Sequence, residues 1–233
     1  MSDVAITIRN VSKAFGSGAG RQYALRDVSL DIRHGEILML MGPSGSGKTT
    51  LLSIMGGILA PTAGDITVDG VSIAAMSRRQ LAQVRLASIG FIFQEYNLFP
   101  TLDCMGNLLV ALDLRGIRGA TAKKTAMDRL TDVGMADKAR EYPAKLSGGQ
   151  KQRLAIARAL SGNPRVLLAD EPTAALDSEN GLRIMALLQA LAREHGRAVV
   201  IVTHDNRITG FADRVVRIED GRLHPDSPAE ETA

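Results

Sequence analysis

EILMLMGPSGSGKTT, residues Glu36 to Thr50, runs without a polar break into a glycine-rich loop. An apolar run with no alternation marks a strand covered on both faces, the environment of an inner parallel strand. The loop satisfies G-x-x-x-x-G-K-[ST] at every fixed position and sits between a strand and a helix, the context this pattern requires. Its glycines let backbone N–H groups converge on phosphate oxygens, and the helix N-terminus adds partial positive charge. Gly42, Pro43, Ser44, Gly45, Ser46, Gly47, Lys48, Thr49 and Thr50 therefore form a candidate nucleotide-phosphate cradle. Lys48 is placed to reach the β- and γ-phosphates, and the Thr49 hydroxyl to bind Mg²⁺.

A second buried strand, VLLAD, delivers Asp170 and then Glu171. Asp170 can hold the metal through water. Glu171 can orient or deprotonate an attacking water. Gln94 ends the strand-like IGFIFQ, where a neutral amide can touch Mg²⁺ or that water. His204 ends AVVIVTH, where an imidazole can donate to a γ-phosphate. Tyr23 offers a ring for adenine, or equally a strand aromatic in a minor core. LSGGQKQR, Leu146 to Arg153, is a further glycine-rich helix start able to hold an anion, which raises the question why one chain has two such cradles.

VAITIRNV and ALRDVSLDI alternate as strands, and DITVDG reads as a strand ending in an Asp-Gly turn. LLSIMGGIL reads as the helix after the loop. Ser77 and Gln80 signal a capping box. From Tyr96 to Tyr142 the pattern turns helical, with breaks at Gly106, Gly116, Gly119 and Gly134. Helices are then expected over 149–160 and 178–194, and RVVRIEDGRL closes the fold as a hairpin. Strands alternating with helices predict an α/β fold with a mostly parallel sheet covered on both sides.

The chain has 233 residues, enough for one domain with a lobe. Hydrophobic residues make up 45% but aromatics only 3%, so aliphatic side chains must fill the core. A net charge of +3 without a basic stripe carrying interleaved aromatics argues against nucleic acid as partner. The single cysteine, Cys104, excludes an internal disulfide and fits a reducing compartment. No signal-peptide pattern and no bilayer-length apolar run is visible, so a membrane role must come through a partner. The Pro-containing acidic tail, 225–233, reads as loose.

In chain order, Tyr23, GPSGSGKTT, FIFQ, LSGGQ, LLADE, AALD (Ala174 to Asp177) and VTHD form a set that resembles the ATP-binding subunit of ABC transporters over essentially the whole chain. FIFQEYNLFPTL, YPAKLSGGQKQRLAIARAL and LADEPTAALDS are similar to the MacB/LolD/FtsE-like branch. THDNRI, ADR and EDGRL are similar to its DevA-like exporters. The resemblance implies a P-loop NTPase core with an N-terminal antiparallel β portion and an inserted α-helical lobe. It implies one domain, with 1–95 and 143–224 as core and 96–142 as lobe. It also answers the question of two cradles. Two subunits would pair head to tail, so that Ser147, Gly148, Gly149 and Gln150 of one close over the ATP held by the other. Asp177 would lie at the seam. Tyr23 would stack on adenine, Glu171 would be the base, His204 the γ-phosphate sensor, and Thr49, Gln94 and Asp170 the Mg²⁺ ligands. Tyr96, Leu98 and Phe99 would help form a groove for a coupling helix of a membrane permease.

The implied function is ATP hydrolysis on the cytoplasmic face of the inner membrane, driving a separate permease that exports or extracts a lipid, lipoprotein or drug-like cargo. A periplasmic adaptor is a further implied partner. A force-transmitting complex of the cell-division type is the alternative. Two departures stand out: GNL at Gly106 to Leu108 where relatives often have Glu-Asn-Val, and AALD where Ser or Gly is common before the Leu-Asp.

Overall fold

A computed structural model describes residues 3–224. In chain order the elements are β1 (Val4–Phe15), β2 (Gln22–Arg33), β3 (Ile37–Met41), α1 (Lys48–Met55), β4 (Ala63–Val68), β5 (Val71–Ser72), α2 (Arg78–Ser88) and β6 (Ile89–Ile92). There follow α3 (Cys104–Asp113), α4 (Gly119–Asp132), α5 (Gly148–Ala159), β7 (Val166–Asp170), α6 (Ser178–His195), β8 (Ala198–Val202), β9 (Arg214–Glu219) and β10 (Arg222–His224). One sheet is antiparallel, in the order β2-β1-β4-β5. The other runs β10-β9-β3-β8-β7-β6 and is parallel except for the β10 edge.

β3 and β8 are buried at every position, as their unbroken apolar runs require. The period of two divides β3 between two cores. Ile37, Met39 and Met41 face a cluster with α3, α4, α5 and α6. Leu38 and Leu40 face α1 and the antiparallel sheet, against Ile6, Ile8, Leu25 and Ile32. The antiparallel sheet thus covers one side of the parallel sheet, and helices cover the other. All parallel strands end toward the same edge, where the loops carrying the candidate site emerge.

The Asp-Gly turn expected after β4 forms, with Asp69 and Gly70 both at positive φ. Ser77 and Gln80 make their capping box. Three expectations need correction. The helix expected over LLSIMGGIL stops at Met55, because Gly56 lies against Phe91 and Leu168 and Gly57 turns at φ 59°. Gly106 does not break a helix. It lies in the first turn of α3, and its N–H donates to the Asp103 cap at 2.6 Å. β6 ends at Ile92, so Gln94 sits in the turn beyond the strand. Cys104 is buried, and burial beside Asp103 pushes its thiol up to about 11. The tail at 225–233 lies outside the described residues. Among those described, no helix is long and apolar enough to cross a membrane.

Candidate functional site

The cradle is built against backbone. A Cβ at Gly42 would stand 2.1 Å from the Ile218 carbonyl oxygen, and one at Gly47 2.4 Å from that of Ala24. Both positions also have positive φ, at 148° and 107°, so only glycine lets the loop lie on β9 and β2. Lys48 opens α1 and is 8% exposed. Its Nζ donates to the carbonyls of Gly42 and Pro43, each at 2.7 Å. The ammonium is thereby drawn against the loop whose N–H groups would receive phosphate.

β7 brings Asp170 to the same edge, where Thr49 Oγ1 donates to Asp170 Oδ1 at 3.3 Å. Burial pushes the Asp170 carboxyl up from its usual range, the Thr49 hydrogen bond opposes this, the Glu171 charge reinforces it, and Lys48 opposes it. Glu171 adopts a left-handed φ of 48°, held by its N–H donating to the Val202 carbonyl at 2.9 Å. Such conformations in a non-glycine residue persist only where the surroundings impose them. The result aims Glu171 Oε1 at His204 Nδ1, 2.7 Å away. Glu171 is 13% exposed in its side chain and His204 74%. Gly42, Pro43, Ser44, Gly45, Gly47, Lys48, Thr49, Thr50, Gln94, Asp170, Glu171 and His204 meet in one cleft of ≈ 550 Å³, whereas Ser46 is buried and does not line it. A larger cleft of ≈ 920 Å³ lies elsewhere, at the start of β3. Its charges already pair with one another, Arg9 with Asp31 at 2.7 Å and Arg214 with Glu36 at 2.8 Å.

The glycine-rich start of α5 does not join the cleft around Lys48. Ser147 and Gln150 cap each other there: Gln150 N–H donates to Ser147 Oγ at 3.3 Å, and Ser147 N–H to Gln150 Oε1 at 2.9 Å. A Cβ at Gly148 would stand 3.2 Å from Leu176 Cδ2, and one at Gly149 2.9 Å from Asn180 Oδ1. Ser147, Gly149 and Gln150 line a separate cleft of ≈ 380 Å³ with Arg153, Asn180 and Arg183. Asp177 caps α6, accepting from Asn180 N–H at 2.9 Å and Asn180 Nδ2 at 2.7 Å, and these bonds hold its carboxyl below the usual range. Tyr23 stands outside the cleft that its neighbour Ala24 lines, with the guanidiniums of Arg21 and Arg26 at 5.0 and 4.8 Å from its ring centre.

The sequence pattern of the ABC transporter family matches residues 25–174. This chain belongs to the ABC transporter family. It is similar to an uncharacterised ABC transporter ATP-binding protein of Mycobacterium tuberculosis, 42% identical over 220 residues, which cover 94% of this chain and 89% of that one. It is similar to the macrolide export ATP-binding/permease protein MacB 1/2 of Paracoccus denitrificans, 44% identical over 221 residues, 95% of this chain and 33% of that protein. Among solved structures it is similar to the dimeric post-hydrolysis state of the ATP-binding cassette MJ0796 bound to ADP and Pi, with a TM-score of 0.86 and 40% identity over 95% of this chain and 97% of that chain. MJ0796 belongs to Methanocaldococcus jannaschii. The ABC chain described here is thus an ATPase.

The ABC fold also positions side chains that sequence reasoning passed over. Arg158 on α5 donates through Nη2 to the Tyr96 carbonyl at 2.8 Å and through Nη1 to that of Asn97. Tyr96 and Asn97 both have positive φ, at 61° and 49°. The turn after Gln94 is therefore pinned to α5, the helix that Ser147 caps. Asn107 is fully buried. Its Oδ1 accepts from Phe99 N–H at 2.8 Å, and its Nδ2 donates to the carbonyls of Phe99, Leu102 and Asp103 at 3.1, 3.1 and 3.0 Å. An Asn in an otherwise apolar helix start was the available signal for Asn107. For Arg158 there was none, since an arginine on an amphipathic helix reads as solvated.

Proposed function

We propose that this ATPase works as a head-to-tail dimer that drives a membrane permease, exporting or extracting a lipid, lipoprotein or drug-like cargo from the cytoplasmic side of the inner membrane. The observation that carries this reading is the separation of the two cradles. One chain gathers Lys48, Thr49, Asp170, Glu171, Gln94 and His204 in a single cleft, and leaves the helix start at Ser147 facing elsewhere. A second copy can supply that start to the open side of the bound triphosphate.

In this arrangement Lys48 and the loop N–H groups bind the β- and γ-phosphates. The donor set of one hydroxyl (Thr49), one carboxylate (Asp170) and one amide (Gln94) suits a hard cation held jointly with phosphates. Among the described residues no group of three His, Cys, Asp or Glu side chains could hold a metal by itself. Thr49, Gln94 and Asp170 would hold Mg²⁺, which neutralises charge building on the transferred phosphoryl group. Glu171 takes the proton of the attacking water. His204 donates to the γ-phosphate through Nε2, the ring nitrogen opposite the one that meets Glu171 at 2.7 Å. The Nδ1 contact with Glu171 then orients the ring that carries this donor.

Tyr23 supplies the base platform once Arg21 or Arg26 moves off its ring. Tyr23→Ala is expected to weaken ATP binding by about 1–3 kcal/mol, read by calorimetry on the Glu171→Gln background. Unchanged affinity returns Tyr23 to a structural role.

The permease docks in the groove between α2, β6 and α3, lined by Leu86, Phe91, Phe93, Phe99 and Leu114; of the residues expected there, Phe99 lines it, whereas Tyr96 does not and Leu98 packs against the core under the helices. The same lining carries Arg85, Arg115 and Arg158 and no Asp or Glu. Burial lowers the pKa of both Arg115 and Arg158. Gly106 leaves α3 without the carboxylate that relatives often place there. A partner helix with an apolar face and an acidic residue fits this groove, because it neutralises cations that the chain itself leaves without a carboxylate. Arg115→Glu is expected to reduce permease recovery by at least about tenfold when the tagged chain is purified from native membranes with ATP, with ATPase activity of the isolated chain unchanged. Recovery of soluble proteins alone by the native chain would overturn the membrane reading. Equal permease recovery by Arg115→Glu would overturn the docking site.

A further inference from the structure

The two loops that leave the phosphate cleft are joined twice. At the cleft, Glu171 and His204 meet. Beyond it, residues 171–177 run to the start of α6, and the other loop passes through a short 3₁₀ turn, Asn206–Phe211. Arg207 closes this far end. Its Nε donates to Asp205 Oδ1 at 2.9 Å and its Nη2 to Asp205 Oδ2 at 2.8 Å. Its Nη1 donates to Ser178 Oγ at 2.7 Å. Asp205, the residue after His204, is itself fixed. Its N–H donates to Thr203 Oγ1 at 3.1 Å, and its Oδ1 accepts the Arg207 N–H at 2.9 Å. Ser178 directly follows Asp177, the cap of α6.

A guanidinium that grips both oxygens of a carboxylate fixes direction as well as distance, and a third nitrogen then aims at a second acceptor. The Arg207 side chain is 66% exposed, so water screens the ion pair and its contribution to stability is small. Its consequence is geometric. We propose that Arg207 is a positioning residue for ATP hydrolysis: by tying Asp205 to Ser178 it holds the loop of His204 at a fixed spacing from the loop of Glu171. With the far ends clasped, the near ends stay in register around a γ-phosphate. Movement at His204 is also passed to the Asp177 end of α6. This rests on the roles of Glu171 and His204 given under the proposed function.

Steady-state ATPase assays of the full chain test the clasp in Arg207→Ala, Arg207→Lys, Ser178→Ala and the Arg207→Ala/Ser178→Ala double variant. Lysine keeps the charge but has a single nitrogen, without the planar fork that holds both Asp205 oxygens while a third nitrogen reaches Ser178. Each single variant is expected to lower kcat by about five- to tenfold with KM for ATP and thermal midpoint unchanged, and the double variant to fall no further than Arg207→Ala. Native kcat in Arg207→Ala overturns the proposal, as do multiplying losses in the double variant or losses that follow the thermal midpoint. Substantial turnover in Glu171→Gln would instead overturn the cleft reading, and it is read in the same assay.

Discussion

Glu171→Gln is expected to lower ATP turnover by about 10²–10⁴-fold while ATP affinity stays within about twofold of native. The amide has the size of the carboxylate and can still meet His204, but it cannot accept the proton of water. Position is set by the backbone, at φ 48° with the N–H bonded to Val202, so the replacement does not move the residue. The change also helps binding in one respect. The Glu171 charge contributes to the raised pKa of Asp170, so removing it favours the ionised carboxylate that is proposed to hold Mg²⁺. Single-turnover and steady-state assays on the purified chain decide it. Turnover within about threefold of native would remove Glu171 from the role of base.

Ser147→Arg is expected to leave ATP binding to the single chain intact and to reduce turnover by at least about 10²-fold, the loss typical when a preorganised donor to a transferring group is removed. Binding survives because Ser147 lies outside the phosphate cleft. Turnover fails because a long cation at the start of α5 blocks that helix start from a partner's phosphate. The lost cap costs about 1 kcal/mol of helix stability, which Ser147→Ala shares without the bulk. Ser147→Ala should therefore match it in thermal stability and retain more activity. Native turnover in Ser147→Arg would mean that one chain hydrolyses ATP alone.

What the sequence made legible follows physical necessity. The β3 run could only be a strand covered on both faces, and Gly42 and Gly47 are glycine because the backbone oxygens of Ile218 and Ala24 leave no room for a Cβ. Those residues show in the sequence because no other residue fits. The cleft was legible as a set of strand ends carrying Asp170, Glu171 and His204. The order β10-β9-β3-β8-β7-β6 was not, since patterning reports which faces are buried and not which strand lies beside which. Contacts made by long polar side chains were equally hidden. Arg158 and Arg207 look like solvated surface in sequence, yet each bridges segments far apart in the chain. The end of α1 at Met55 was missed because an apolar run hid the glycine pair, of which Gly56 packs against Phe91 and Gly57 against Leu81.

Two chains sharing each ATP is the arrangement most open to test, by light scattering of the Glu171→Gln chain with and without Mg-ATP. The expected result is the mass of one chain without nucleotide and of two chains with it, one ATP retained per chain, and no pairing when Ser147→Arg is added. The mass of a single chain at saturating ATP would contradict it.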